Sequence, residues 1–129
     1  MVDASAVAAT LVLDDESGVR ATARLAADAD QHAPTLLDLE VVATIRRRLF
    51  SAQLSVARAD AAVIALTELP IERYPHVLFM PRIWELRHNV SPYDAAYVAL
   101  AEVLGVRLVT ADRRLADAPG TRCTIELLA

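Results

Sequence analysis

Apolar positions in this chain recur at helical spacing in long blocks, and short extended runs separate the blocks. Leu37, Val41, Ile45 and Leu49 follow one another at i, i+4, which lines them up as one stripe of a helix opened by Pro34 and Thr35. Thr35 is the expected N-cap, with Asp38 answering it three residues on in a capping box. Comparable patterns predict helices over 5–13, from the acidic run at 14–16 to about 29, over 55–69 and over 81–88. Ser91 and Pro92 supply a strong start signal for a helix that continues to a stop at Gly105, and 112–117 reads as one further turn. Short extended pieces fall at 1–3, around His32 and Ala33, within 69–74, at 107–110 and at 124–127. Strands alternating with helices in this way predict an α/β fold with a parallel sheet.

Composition refines that picture. A chain of 129 residues is expected to form one domain, 1–129, large enough to bury a substantial core. It is 55% hydrophobic but only 5% aromatic, because alanine fills 25 positions, which favours closely packed helices over an all-β sandwich. The single cysteine, Cys123, excludes an intramolecular disulfide and a thiolate zinc cluster, fits a reducing cytoplasm, and reads as a small hydrophobe in the last strand. The longest apolar stretch, Ala6 to Leu13, is too short to span a bilayer, and Asp3 spoils any basic leader, so a cytoplasmic protein without membrane contact is expected.

Charge narrows the chemistry. A net charge of −4 argues against a broad electrostatic grip on nucleic acid. All 13 basic residues are arginine. Without lysine there is no P-loop, and the receiver and haloacid-dehalogenase types, which join acidic clusters to a lysine, are poor readings. The three glycines are too dispersed for a dinucleotide-binding turn.

What remains is carboxylate chemistry. Asp3, Glu40, Asp94 and Asp112 lie far apart, each where a strand ends or a helix begins. Open α/β sheets gather such positions in the crevice outside the carboxyl ends of their strands. Two unit negative charges about 4 Å apart repel by roughly 4 kcal/mol at an effective dielectric near 20, so four carboxylates stay ionised together only beside a cation. Oxygen ligands without histidine or thiolate favour Mg²⁺, with Mn²⁺ as substitute, and the chemistry they favour is metal-assisted phosphoryl transfer or phosphodiester hydrolysis. Local helix physics explains Asp38 but not Glu40, which flanks the apolar stripe, so Glu40 is the better site candidate. Asp94 also completes a capping box with Ser91. Ser5 and Thr110 carry hydroxyls near the expected pocket, able to orient a carboxylate or a water. Arg46, Arg47 and Arg48 form the only dense basic run and are candidates for RNA contact. His32, His76 and His88 show no ligand spacing.

Four segments in order resemble the motifs of the PIN-domain nucleases, specifically the VapC-like toxins of bacterial toxin–antitoxin pairs. They are Val2-Asp3-Ala4-Ser5-Ala6-Val7, then Ala33-Pro34 leading into Leu39-Glu40-Val41, then Tyr93-Asp94-Ala95-Ala96-Tyr97-Val98-Ala99-Leu100-Ala101, and Leu108-Val109-Thr110-Ala111-Asp112-Arg113-Arg114-Leu115. The resemblance implies a PIN-like parallel sheet of order 3-2-1-4-5, counting 1–3 as the first strand, with helices on both faces. It implies an Mg²⁺- or Mn²⁺-dependent endoribonuclease with Asp3, Asp94, Asp112 and Glu40 as catalytic and metal-binding residues. It also implies a growth-inhibiting toxin with an RNA substrate, a cognate antitoxin that silences it, a homodimer and a toxin–antitoxin hetero-oligomer.

Two departures stand out. Met1 lies only two positions before Asp3, which leaves the first strand short for the family and points to a start upstream. Arg113 and Arg114 stand where many relatives carry another acid, which argues against tight binding of a second metal. Two other readings stay open: a PIN-like binding module with weak or no catalysis, and a metal nuclease acting on structured DNA.

Overall fold

The computed structural model describes residues 1–128. Seven α-helices run over Ala4–Val12 (α1), Glu16–Ala26 (α2), Leu36–Phe50 (α3), Val56–Glu68 (α4), Met80–Glu85 (α5), Pro92–Leu104 (α6) and Arg113–Ala116 (α7). Four strands cover Gln31–Pro34 (β1), Ile71–Tyr74 (β2), Leu108–Thr110 (β3) and Ile125–Leu127 (β4). Strand β1 pairs in parallel with β2, and β3 with β4.

The opening residues join the two pairs. The Val2 N–H donates to the His32 carbonyl at 3.1 Å, the Val109 N–H to the Met1 carbonyl at 2.9 Å, and the Asp3 N–H to the Val109 carbonyl at 3.1 Å. Residues 1–3 thus lie between β1 and β3 through one isolated bridge, Val2 to Val109, and are too short to form a regular strand. The sheet expected as one continuous five-stranded unit takes the form of two regular pairs with this link between them.

Helices dominate. Helix α1 packs on α2, α3 and α4, whereas α6 packs on α5 and its flanking 3-10 turns, and both α1 and α6 touch β3. Every residue from Ala95 to Ala101 is buried, so α6 is enclosed on all sides, as a helix apolar all round must be. Its alanines let neighbouring elements approach closely. Gly105 ends it with φ +65°, a left-handed conformation that costs glycine nothing. Glycine is also required at Gly18, where a Cβ would lie 2.0 Å from the Leu13 carbonyl oxygen.

The cap at Ser91 forms as the sequence indicates, its hydroxyl accepting the Asp94 N–H at 3.1 Å, and Ser55 caps α4 in the same way. Thr35 does not cap α3. Its backbone is already helical and its side chain makes no cap bond, so Asp38 is free for another role. Arg73, at the end of β2, takes both Asp38 oxygens at 2.8 Å. The helix expected over 81–88 is broken into α5 between two 3-10 turns, His76–Phe79 and Leu86–His88. Cys123 lies in a bend before β4, half-buried, and not within the strand.

Candidate active site

Asp3 stands where the first extended segment turns into α1, and it caps that helix: Oδ1 accepts the Ala6 N–H at 2.9 Å. The Ser5 hydroxyl donates to Oδ1 at 2.7 Å and approaches Oδ2 at 2.9 Å, while the Thr110 hydroxyl donates to Oδ2 at 2.5 Å. The carboxylate is only 5% exposed, and all these donors are neutral. Burial therefore pushes its pKa up, and the charge of Asp94 adds to that, against hydrogen bonds from Thr110, Ala6 and Ser5 that pull it down.

Ser5 and Thr110 also tie the strand end together. Ser5 Oγ accepts the Ala111 N–H at 2.9 Å, and Thr110 Oγ1 accepts the Asp112 N–H at 2.9 Å. The two hydroxyls thereby fix the start of α1 against the end of β3, orienting Asp3 and the backbone of Asp112 together.

Glu40 reaches the same region from α3. Burial, followed by the charges of Asp94 and Asp3, raises its pKa to about 7, with the nearby Tyr97 hydroxyl opposing the shift. Proximity to Tyr97 does not amount to a hydrogen bond: Glu40 Oε1 and Tyr97 Oη are both buried and both lack a partner among the described residues. In the sequence Tyr97 stands among the apolar residues of the third motif. A hydroxyl inside an alanine-rich buried helix is the signal for a polar neighbour, because a buried tyrosine oxygen needs one. Burial and the charges of Glu40 and Asp3 hold that phenol well above its ordinary range.

Asp94, in the first turn of α6, is half-buried. Burial and the charge of Asp112 raise its pKa against the Ser91 hydrogen bond and the charge of Arg114. Asp112 behaves differently. Burial pushes it up, but Arg114 outweighs burial, donating its backbone N–H to Oδ1 at 2.8 Å and its guanidinium to Oδ2 at 3.2 Å, and the carboxyl falls below the usual range.

The four acids singled out from sequence are thus close enough to perturb one another, Asp3 and Glu40 through Asp94, and Asp94 through Asp112. Among the described residues no three His, Cys, Asp or Glu side chains form a ready ligand cluster. The set still suits a hard divalent cation: its donors are all oxygens, three of the carboxyls are raised by burial without a cationic partner, and one buried oxygen, Glu40 Oε1, has no hydrogen bond. Of the basic run on α3, Arg47 and Arg48 line a cavity that reaches Ser5, whereas Arg46 lies 4.5 Å over the Phe50 ring. His32 is taken up by the Tyr74 hydroxyl at 2.8 Å.

This arrangement can be set beside known proteins. The solved structure of Mycobacterium tuberculosis VapC20, described as a Sarcin-Ricin loop cleaving toxin, superposes with a TM-score of 0.71 over 93% of this chain and 94% of that one. Identity there is 20%, so the likeness concerns the fold. Ribonuclease VapC1 of Mycobacterium tuberculosis is 44% identical, covering 98% of this chain and 99% of that protein. The VapC ribonuclease Mb0985 of Mycobacterium bovis is 41% identical over 99% of this chain and 97% of its own length. The PIN-domain family model matches residues 1–120, and with relatives this similar over nearly the whole length the chain belongs to the PIN-domain family.

Proposed function

We propose that this protein is a divalent-metal-dependent endoribonuclease of the VapC type, the toxin of a toxin–antitoxin pair. The observation that carries the chemistry is the set Asp3, Glu40 and Asp94: three mutually perturbing carboxyls, raised by burial, with no cation among the described residues bonded to them. RNA as substrate rests on the relatives, which are named ribonucleases.

PIN-domain VapC ribonucleases are in general divalent-metal dependent, and here Mg²⁺, with Mn²⁺ as substitute, suits the oxygen donors. Asp3 and Asp94 would hold the ion with help from Asp112 and Glu40; when bound it supplies Lewis-acid polarisation of the scissile phosphate and charge stabilisation. The chain's own groups do the rest. Ser5 and Thr110 keep the Asp3 carboxylate in one orientation, so its charge needs no reorganisation as the reaction proceeds. Glu40, with a pKa of about 7, changes protonation near neutrality, and its unpartnered Oε1 can take the proton of the attacking water. Arg114 holds Asp112 below the usual carboxylate range and so keeps it ionised beside Asp94.

VapC toxins pair with antitoxins, and a cognate antitoxin and a homodimer are proposed here. Their support is exposed apolar side chains: Leu39, Leu78, Trp84 and Tyr93 are each more than 60% exposed. Among the described residues no helix is long and apolar enough to cross a membrane.

The test is incubation of the purified, partner-free protein with total cellular RNA in Mn²⁺ or Mg²⁺, beside an EDTA control and Asp94→Asn. Discrete cleavage lost in both controls supports the reading. No cleavage by folded, metal-loaded protein favours a binding module, and cleavage of structured DNA in preference to RNA would replace the substrate.

A further inference from the structure

Seven of the arginines are engaged by carboxylates: Arg20, Arg24, Arg58, Arg73, Arg82, Arg107 and Arg114. Arg47 and Arg48 form no ion pair among the described residues, and they stand side by side at the last turn of α3. Positive charge there complements the helix dipole, and that alone accounts for a surface position. It does not account for what they border. Arg47 and Arg48, with Thr44 from the same helix, form one wall of a cavity of about 270 Å³. The opposite side is Ser5 and Ala111, the two residues joined by the hydrogen bond that locks Asp3 beside β3. The floor is the apolar face of α1, Ala8 and Val12 among it.

The cavity therefore opens directly beside the acidic site while carrying the opposite charge. Of the arginines that form no ion pair among the described residues, Arg47 and Arg48 are the two that line this cavity, beside a carboxylate cluster that attracts no polyanion by itself. We infer that Arg47 and Arg48 bind the phosphate next to the scissile one on a single-stranded RNA, its nucleoside lying on the α1 floor. The inference rests on the ribonuclease reading and adds to it a substrate subsite and a polarity of charge. Guanidinium groups match phosphate oxygens in pairs, and such contacts position a nucleic acid without reading its sequence. A volume of about 270 Å³, just under the roughly 300 Å³ at which ligand cavities begin, admits one nucleotide unit and no folded element. Arg46, turned onto Phe50, is outside the subsite.

The experiment follows initial rates of cleavage of a single-stranded RNA oligonucleotide, taken from a site that the wild type cuts in total RNA, across a salt series in Mn²⁺. The variants are Arg47→Gln/Arg48→Gln, the charge-keeping Arg47→Lys/Arg48→Lys, and Arg20→Gln on the far helix as control. The double glutamine variant is expected to raise KM roughly tenfold with kcat within about twofold, uniformly across RNA sequences. Its log(kcat/KM) against log salt should be shallower by about 1.4, since each single-strand phosphate contact contributes about 0.7. The lysine pair should recover most of the slope and part of the KM. A wild type that cuts no RNA fails at the ribonuclease reading and takes this inference with it. An active wild type whose glutamine variant keeps KM and slope overturns the subsite alone, and so does a loss confined to kcat, which would mean a disturbed Asp3.

Discussion

Two regions of the molecule treat their carboxylates in opposite ways. Around β4 and the end of α6, each acid is clasped by arginine: Arg24 takes Glu126 at 2.6 and 3.0 Å, and Arg82 takes Glu102 at 2.8 and 3.0 Å. Both carboxyls sit below their ordinary range, Glu126 chiefly through its Arg24 hydrogen bond, and Glu102 because Arg82 outweighs the upward push of burial. At the carboxyl ends of residues 1–3 and β3, Asp3 is buried among hydroxyls and an amide, and Glu40 and Asp94 likewise rise above their ordinary range. A chain with 13 arginines could have neutralised these acids and did so only at the rim, at Asp112. Self-contained ion pairs hold the fold together, whereas the site is left short of positive charge.

The sharpest way to break this contrast is to remove one uncompensated acid. Asp3→Asn keeps the helix cap, because asparagine caps as well as aspartate. Cleavage is expected to fall by about 10³ or more, the scale of several kcal/mol of transition-state stabilisation. Its thermal midpoint should stay within about 4 °C of wild type, or rise, since a buried carboxyl has gone. Retained activity would remove Asp3 from the site. A smaller effect is expected from Thr110→Val, which deletes a donor to Asp3 and the acceptor of the Asp112 N–H. Activity should drop about 10- to 100-fold and Mn²⁺ titrations of cleavage should shift to higher concentration, the pattern of a lost supporting bond. The complementary change on the clasped side, Arg82→Gln, should leave kcat unaltered and cost about 2 kcal/mol in urea unfolding. That is below the 3–5 kcal/mol of a fully buried pair, because both partners keep some exposure. An equal loss of activity in that variant would erase the distinction between the two regions.

Much of this was legible in the sequence, for local reasons. Asp3, Asp94 and Asp112 sit at junctions marked by an apolar run, a Ser-Pro start and a short strand, and junctions in an α/β fold converge. Glu40 was separable from Asp38 by its place beside the apolar stripe. Long-range partners were hidden. Asp38 reads as half of a capping box, but its partner is Arg73, 35 residues away, and Thr35 enters α3 already helical and cannot cap it. The Arg46–Arg48 run was visible, yet which members border the site depends on the rotation of α3 against α1, and only the packed structure fixes that. The departure at Arg114 was noted as a missing acid; its closure on Asp112 was not.

A carboxylate site short of positive charge shows itself in the thermal midpoint between pH 5 and pH 7, measured with and without Mn²⁺. Glu102, Glu126 and Asp112, whose pKa values are lowered, give a rising slope that fades above about pH 5.5, where the unfolded chain is almost fully ionised too. Glu40 rises from 4.5 unfolded to about 7 folded, so the folded chain binds the extra proton and stability must fall as pH rises through the window. In EDTA the midpoint is expected to fall across pH 5.5 to 7, less steeply in Glu40→Gln, where the raised Asp3 and Asp94 remain, and Mn²⁺ should add about 2.7 kcal/mol at 100 times Kd, a gain that grows toward pH 7. A midpoint that rises with pH over that range in EDTA, or that Mn²⁺ leaves unmoved at pH 7, would contradict such a site.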